Sequence, residues 1–271
     1  GWRPAVWVLG AMTLFLGGWR ALRQDDLKLL LAYGTVSQLG FLVLLLGTGT
    51  QAAALGGLAM VIAHALFKAT LFLIVGVVDH SAGTRRISEL SDVGRRLPGT
   101  AIIAAIAAAS MAGLPPTLGF IAKEAGLEGI TNLGFGGDGT QVAPVPAWAL
   151  IGVIVLGSAI TVAYSLRFWW GAFAPKAGLV PSTVAQRPAI GFVAIPGLLG
   201  LAGLAGGFLG GPLTEALAPY ASSLPLGAPS HGMKLWPGWT LPLAASALAI
   251  GVGAVLFWQR ERIAAVQQTF P

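Results

Sequence analysis

The sequence predicts an all-α, polytopic transmembrane helical bundle of about seven crossings, and three observations carry that reading. The chain of 271 residues is 55% hydrophobic and only 10% charged, with a mean hydropathy of +0.79. A soluble domain carries about 25% charged residues. The apolar residues come in runs near the roughly 20 residues that a helix needs to cross about 30 Å of hydrocarbon. The basic residues sit in the short segments between those runs, where they orient a protein in a membrane. The alternating ten-residue segments that mark a transmembrane barrel do not occur.

The spans follow in order. Pro4 to Leu22 is the first. It follows the opening "GWRPAVWVLG", which has no methionine and leads to no cleavage site, so it reads as the interior of a longer protein. Leu27 to Gly47 is the second and Ala52 to Val78 the third. Pro98 to about Thr131 is a long apolar region with a break in it. Pro146 to Phe173, Pro188 to Gly210 and Trp239 to Trp258 complete the set. The Gly/Pro-rich stretches 134–146 and 221–238 read as irregular loops. No periodic repeat stands out.

If the broken region crosses once, the loops alternate sides, and the basic residues divide unevenly. One side takes Arg20, Arg23, Lys28, Arg85, Arg86, Arg95, Arg96, Arg167, Lys176, Arg187, Arg260 and Arg262; the other takes Arg3 and Lys234. Such a bias makes the basic loops cytoplasmic. The net charge of +6 is therefore topological. No basic stripe interleaved with aromatics suggests nucleic acid. There is no cysteine, which removes disulfides, thiolate metal sites and cysteine catalysis. No phosphate loop, nucleophile elbow or metal-ligand cluster appears; His64, His80 and His231 are widely separated, and no cofactor is expected.

Ionisable groups inside the spans are the candidate functional residues. His64 and Lys68 lie four residues apart, on one helix face, within "MVIAHALFKATLFLIVG". A lysine at mid-membrane costs roughly 2.5–3.5 kcal/mol on insertion scales and faces protein or a wet cavity. Desolvation penalises its charged form, so such a lysine is suited to pass a proton. A permanent carboxylate partner is the alternative, but no acid lies near it in the same span. In "SMAGLPPTLGFIAKEAGLEG", Pro115 and Pro116 cannot donate backbone hydrogen bonds, and Gly113 and Gly119 flank them. A break is expected near Leu114–Leu118, and broken membrane helices mark ion pathways. Lys123 follows about one turn later, with Glu124 and Glu128 sharing a face as candidate cation or charge partners. Asp25 and Asp26 suit a helix N-terminus. Lys28, Asp79 and His80 sit at span ends, as boundary anchors or as a pathway entrance. Ser37 and Gln38 are polar groups within the second span that could hold water, and Tyr33 is read as packing.

Three motifs, "DLKLLLAYGTVSQLG", "HALFKATLFLIVG" and "GLPPTLGFIAKEAGLEG", occur in that order. Together they resemble the antiporter-like membrane subunits shared by Mrp-type cation/proton antiporters and respiratory complex I. The break and the Lys–Glu–x–x–x–Glu ending look most like the large A-type component of the Mrp antiporter. The resemblance covers about residues 5 to 174. It implies that 1–174 form the second of two inverted five-helix repeats, with a broken fourth helix, and that 175–271 add two further spans with loops. It places the family's channel lysines on Lys68 and Lys123 and its channel histidine on His64. Gly34 stands where the family often has serine. The implied function is a Na⁺/proton antiporter subunit in the cell membrane, using protons, a monovalent cation, partner subunits and the bilayer. A proton-translocating subunit of a complex I-type NADH-quinone oxidoreductase is the alternative, and a structural scaffold the second.

Overall fold

The computed structural model describes residues 1–135, 144–224 and 232–269. The loops expected at 134–146 and 221–238 fall partly outside these residues, and His231 lies outside them. Eleven helices follow one another among the described residues: α1 Arg3–Arg23, α2 Leu27–Leu46, α3 Gln51–Ala82, α4 Val93–Arg96, α5 Pro98–Ala112, α6 Leu118–Phe135, α7 Pro144–Phe173, α8 Ile190–Gly206, α9 Gly210–Ala221, α10 Leu241–Trp258 and α11 Arg260–Thr269. There is no β-strand among them, only an isolated bridge between Asp26 and Arg86. A helix or a broken pair stands on each of the seven expected spans. Five helices (α1, α2, α3, α7 and α10) are long and apolar enough to cross a membrane alone. The bent pair α8–α9 makes a sixth candidate.

Local chemistry sets the boundaries. Asp26 caps α2 by accepting from the N–H groups of Lys28 and Leu29, and Thr50 and Thr240 cap α3 and α10 in the same way. Pro4, Pro98 and Pro242 lie in first turns, where a missing N–H costs nothing. α3 runs on to Gly83, a left-handed C-cap, so Asp79 and His80 lie inside its last turn rather than beyond its end. The sixth expected span ends at Gly206, short of Gly210. The Gly-rich turn after it sends α9 off at 87°. Sequence reading did not separate α9, nor the polar α11.

Small residues let the helices approach closely, the usual device where lipid removes a hydrophobic drive between helices. A Cβ on Gly40 of α2 would lie 2.4 Å from the backbone N of Leu14 in α1. A Cβ on Gly56 of α3 would lie 2.2 Å from the backbone N of Gly126 in α6. α7 is central, packing on α1, α2, α5, α6 and α10. At the basic-loop end, segment 84–92 is pinned to the start of α2. Arg85 Nε lies 2.5 Å from Asp26 Oδ2 and Arg86 Nε 3.3 Å from Asp25 Oδ2, while Ser88 Oγ donates to Asp25 at 2.6 Å. Lys176 donates to the carbonyls of Leu90 at 2.6 Å and Gly171 at 2.7 Å, and also to that of Ile87.

Candidate functional site

The break falls where the prolines require it. α5 stops at Ala112, and Gly113 takes φ +73°, with its N–H on Ser110 and that of Leu114 on Ala109. α6 restarts at Leu118 after Thr117, whose hydroxyl accepts from Phe120 N–H. The two half-helices touch at Gly119, where a Cβ would lie 2.0 Å from the Ser110 carbonyl oxygen. Lys123 is buried, and its Nζ reaches back over the break to the Gly113 carbonyl at 3.5 Å. It thus sits at the C-terminal end of α5, where unpaired carbonyls and the helix dipole favour a cation.

Lys68 is also buried, and its Nζ donates to the Leu31 carbonyl of α2 at 3.0 Å. Gly34 leaves the room for it: a Cβ there would lie 3.0 Å from Lys68 Nζ and 3.2 Å from Tyr164 Cε2. Nζ stands 6.0 Å from the centre of the Tyr164 ring, within cation–π reach. No carboxylate is within ion-pair distance of Lys68 or Lys123 among the described residues. The permanent partner considered for Lys68 is therefore not seen among them.

Tyr164 and Thr161, on α7, were not singled out from the sequence. Gln38 Nε2 donates to Thr161 Oγ1 at 3.2 Å and to Tyr164 Oη at 3.3 Å. The signal was present in "GSAITVAYS", where Ser158, Thr161 and Ser165 recur at helical spacing in an apolar span. Ser37 has another use: its hydroxyl donates to the Leu14 carbonyl at 2.8 Å and staples α2 to α1.

The carboxylates of α6 lie on a different face from Lys123, with Glu124 turned to α10. Glu124 is buried and accepts from Ser246 of α10, while its Oε2 has no hydrogen-bond partner among the described residues. Glu124 and half-buried Glu128 border a cavity of about 540 Å³ with Thr131, Asn132, Lys234 and Thr240.

Other candidates stay outside this group. His64 is half-buried, edge-on to Phe67 with ring centres 5.3 Å apart, and its Nδ1 has no partner among the described residues. Lys28 is exposed on the first turn of α2. Asp79 joins the surface charges through Arg85 at 3.9 Å, and His80 is exposed against Phe192. Asp79 and His80 are roughly 17 Å along α3 from Lys68 at 1.5 Å per residue.

A multi-pass helical bundle with two buried lysines, one of them at a helix break, defines a polytopic membrane protein with ionisable groups in its interior. The family model described as "NADH:quinone oxidoreductase/Mrp antiporter, TM" matches residues 1–136, and the chain belongs to that family. A probable K(+)/H(+) antiporter component of type A/B from Rhizobium meliloti is 33% identical over 265 residues, covering 95% of this chain and 25% of the relative. A Na(+)/H(+) antiporter component of type A1 from Staphylococcus saprophyticus is 38% identical over 62% of this chain and 22% of its own length. Among solved structures, the Mrp complex from Dietzia sp. aligns with TM-score 0.81 at 37% identity, over 97% of this chain and 28% of the other. Respiratory complex I from Thermus thermophilus aligns with TM-score 0.68 at 27% identity, over 82% and 44%. The chain thus spans about a quarter of the length of the first two relatives.

Proposed function

We propose that the chain is part of a cation/proton antiporter subunit of the Mrp type, and that Lys68 and Lys123 carry its protons. The supporting observation is the pair of buried lysines, each held by a backbone carbonyl instead of a carboxylate. A permanent ion pair would trap the charge; a carbonyl contact leaves each amine able to gain and lose a proton. Two ammonium ions in one low-dielectric interior repel each other, so a single charge passing between them is the economical state. A conformational or cation-driven event at one lysine then pushes a proton from the other.

Glu124 and Glu128 are the candidate oxygen ligands or countercharges for Na⁺ or another monovalent cation. His64 stands one turn from Lys68 as a candidate for the next step of the path. Lys28, Asp79 and His80 are candidate entrance groups. We place the basic loops on the cytoplasmic side of the cell membrane and expect other membrane subunits to complete the assembly. The second reading, a proton-translocating subunit of a complex I-type enzyme, is supported by the Thermus similarity. Co-purification with quinone-reductase subunits would favour it.

The test uses the full-length subunit with its partners, assayed for Na⁺- and K⁺-driven proton exchange in vesicles. Lys68→Ala and Lys123→Ala each abolish exchange while the complex still assembles. Normal exchange in Lys123→Ala would remove the broken helix from the pathway.

A further inference from the structure

A proton cannot pass between two lysines through hydrocarbon; it needs a continuous chain of groups that accept one proton and release another. Polar groups for such a chain lie on the α2–α7 side, with the Thr161 hydroxyl resting on the Gly157 carbonyl at 3.0 Å. At one end, the Lys68 ammonium and the Tyr164 ring meet in the slot left by Gly34, and the Tyr164 hydroxyl lies 3.5 Å from the Gly34 carbonyl. In the middle, one Gln38 amide donates to both the Tyr164 and Thr161 hydroxyl oxygens. At the other end lies a cavity of about 20 Å³, bordered by Gln38, Ser158, Thr161, Gly113 and Lys123. The rest of the lining is apolar, including Phe41, Met60 and Met111. A water needs about 10–15 Å³ and two to four polar partners, and Gln38, Thr161 and Lys123 are the ones at hand.

We propose that Tyr164, Thr161 and one water in this cavity form the bridge between Lys68 and Lys123, with Gln38 positioning the two hydroxyls. The proposal rests on the relay reading above and specifies its route. When the Lys68 ammonium gives up a proton, each hydroxyl turns from the carbonyl it rests on, Gly34 for Tyr164 and Gly157 for Thr161, accepts one proton and releases another. The water then hands a proton to the neutral Lys123 amine. Lys68 ends as an amine and Lys123 as an ammonium. The hydroxyls and the water are unchanged, and no further reactant is required. Gln38 acts through the hydroxyls: its two donated hydrogen bonds hold their oxygens in line without taking the proton.

The experiment is vesicle exchange by the assembled complex, with Thr161→Val, Thr161→Ser, Tyr164→Phe and Gln38→Leu measured beside Lys68→Ala and Lys123→Ala. Valine keeps the shape of threonine and loses the hydroxyl; serine does the reverse. Thr161→Val is expected to lower exchange by about tenfold or more, in the range of a lost proton-transfer group, and Thr161→Ser to restore most of it. Tyr164→Phe and Gln38→Leu behave like Thr161→Val, with assembly intact in each. A merely structural role for Thr161 predicts the opposite order, serine worse than valine, and that result overturns the bridge. So does near-normal exchange in both Thr161→Val and Tyr164→Phe while the lysine variants are dead. Full exchange in the lysine variants overturns the relay itself, and the bridge with it.

Discussion

Gly34 decides how Lys68 is housed. The missing side chain is the space shared by the ammonium and the Tyr164 ring, so the effect of filling it depends on what fills it. Serine places a hydroxyl within reach of Nζ, which donates three hydrogen bonds as an ammonium. Valine places methyls there and must push aside a buried lysine or an aromatic ring, an overpacking that costs typically about 1–3 kcal/mol. Gly34→Ser is therefore expected to retain exchange, and Gly34→Val to lose most of it together with thermal stability of the complex. Equal activity in the two variants would show that the slot does not constrain Lys68. The lysines were legible in the sequence because a charge in an apolar run has few explanations. Thr161 and Tyr164 were not, because a threonine or tyrosine in a span is ordinary until the opposing face is known. Gln38 was legible as a polar group but not by its partners, which lie more than a hundred residues away on α7.

The elements respond to substitution according to which helix end or crossing they secure. Gly119 and Gly152 are both helical glycines, yet opposite outcomes follow from their surroundings. A Cβ on Gly119 meets the Ser110 carbonyl at 2.0 Å, backbone against backbone, whereas one on Gly152 meets nothing within 4 Å. Gly152→Ala is expected to raise stability by about 0.4–1 kcal/mol through lost unfolded-chain freedom. Gly119→Ala is expected to lower it by more, prising α6 from α5 and moving Lys123. Thermal denaturation of the complex in detergent distinguishes the two. At the start of α2, burial works to raise the Asp25 and Asp26 pKa values, but the hydrogen bonds from Ser88 and Arg85 and the arginine charges outweigh it and hold both below the usual 3.8. The unfolded chain then binds protons first as pH falls. Their contribution is full above pH 3.8 and drains away as pH drops through the lower native values. Hydrogen-exchange protection of residues 84–90, taken relative to the intrinsic rate at each pH, should fall below about pH 4, and Asp26→Ala, which also removes the cap, should cost about 1 kcal/mol. An unchanged 84–90 segment in Asp26→Ala would show that Asp25 and Lys176 hold the loop without Asp26. The break itself was legible because two prolines and two glycines cannot continue a helix. The 87° turn into α9 was only half legible. Its glycines were visible, but not that Gly207 rests against the Pro116 carbonyl, where a Cβ would lie 2.0 Å away.

For the whole molecule, the order of spans was readable because each apolar run is long and each break carries its own chemistry. The direction of the bundle across the membrane rests on a separate argument, the unequal distribution of basic residues. Moving a lysine or arginine across the bilayer is costly, so the loops that hold them stay on the side of synthesis. On that argument the α7–α8 connection, which carries Lys176 and Arg187, is expected on the cytoplasmic side and the α9–α10 connection on the other. The chain lends itself to a direct test, since it contains no cysteine. Ala177 in the first connection and Ser223 in the second are both exposed. Ala177→Cys and Ser223→Cys, each in an otherwise cysteine-free full-length subunit, are treated in intact cells with a membrane-impermeant maleimide. Ser223→Cys should label at once and Ala177→Cys only after the membrane is opened. With that orientation, the cavity bordered by Glu124, Glu128 and Lys234 lies toward the outer side, the exit side under the proposed cation export. The reverse labelling pattern would turn the bundle over and place that cavity on the cytoplasmic side, as an intake for the cation.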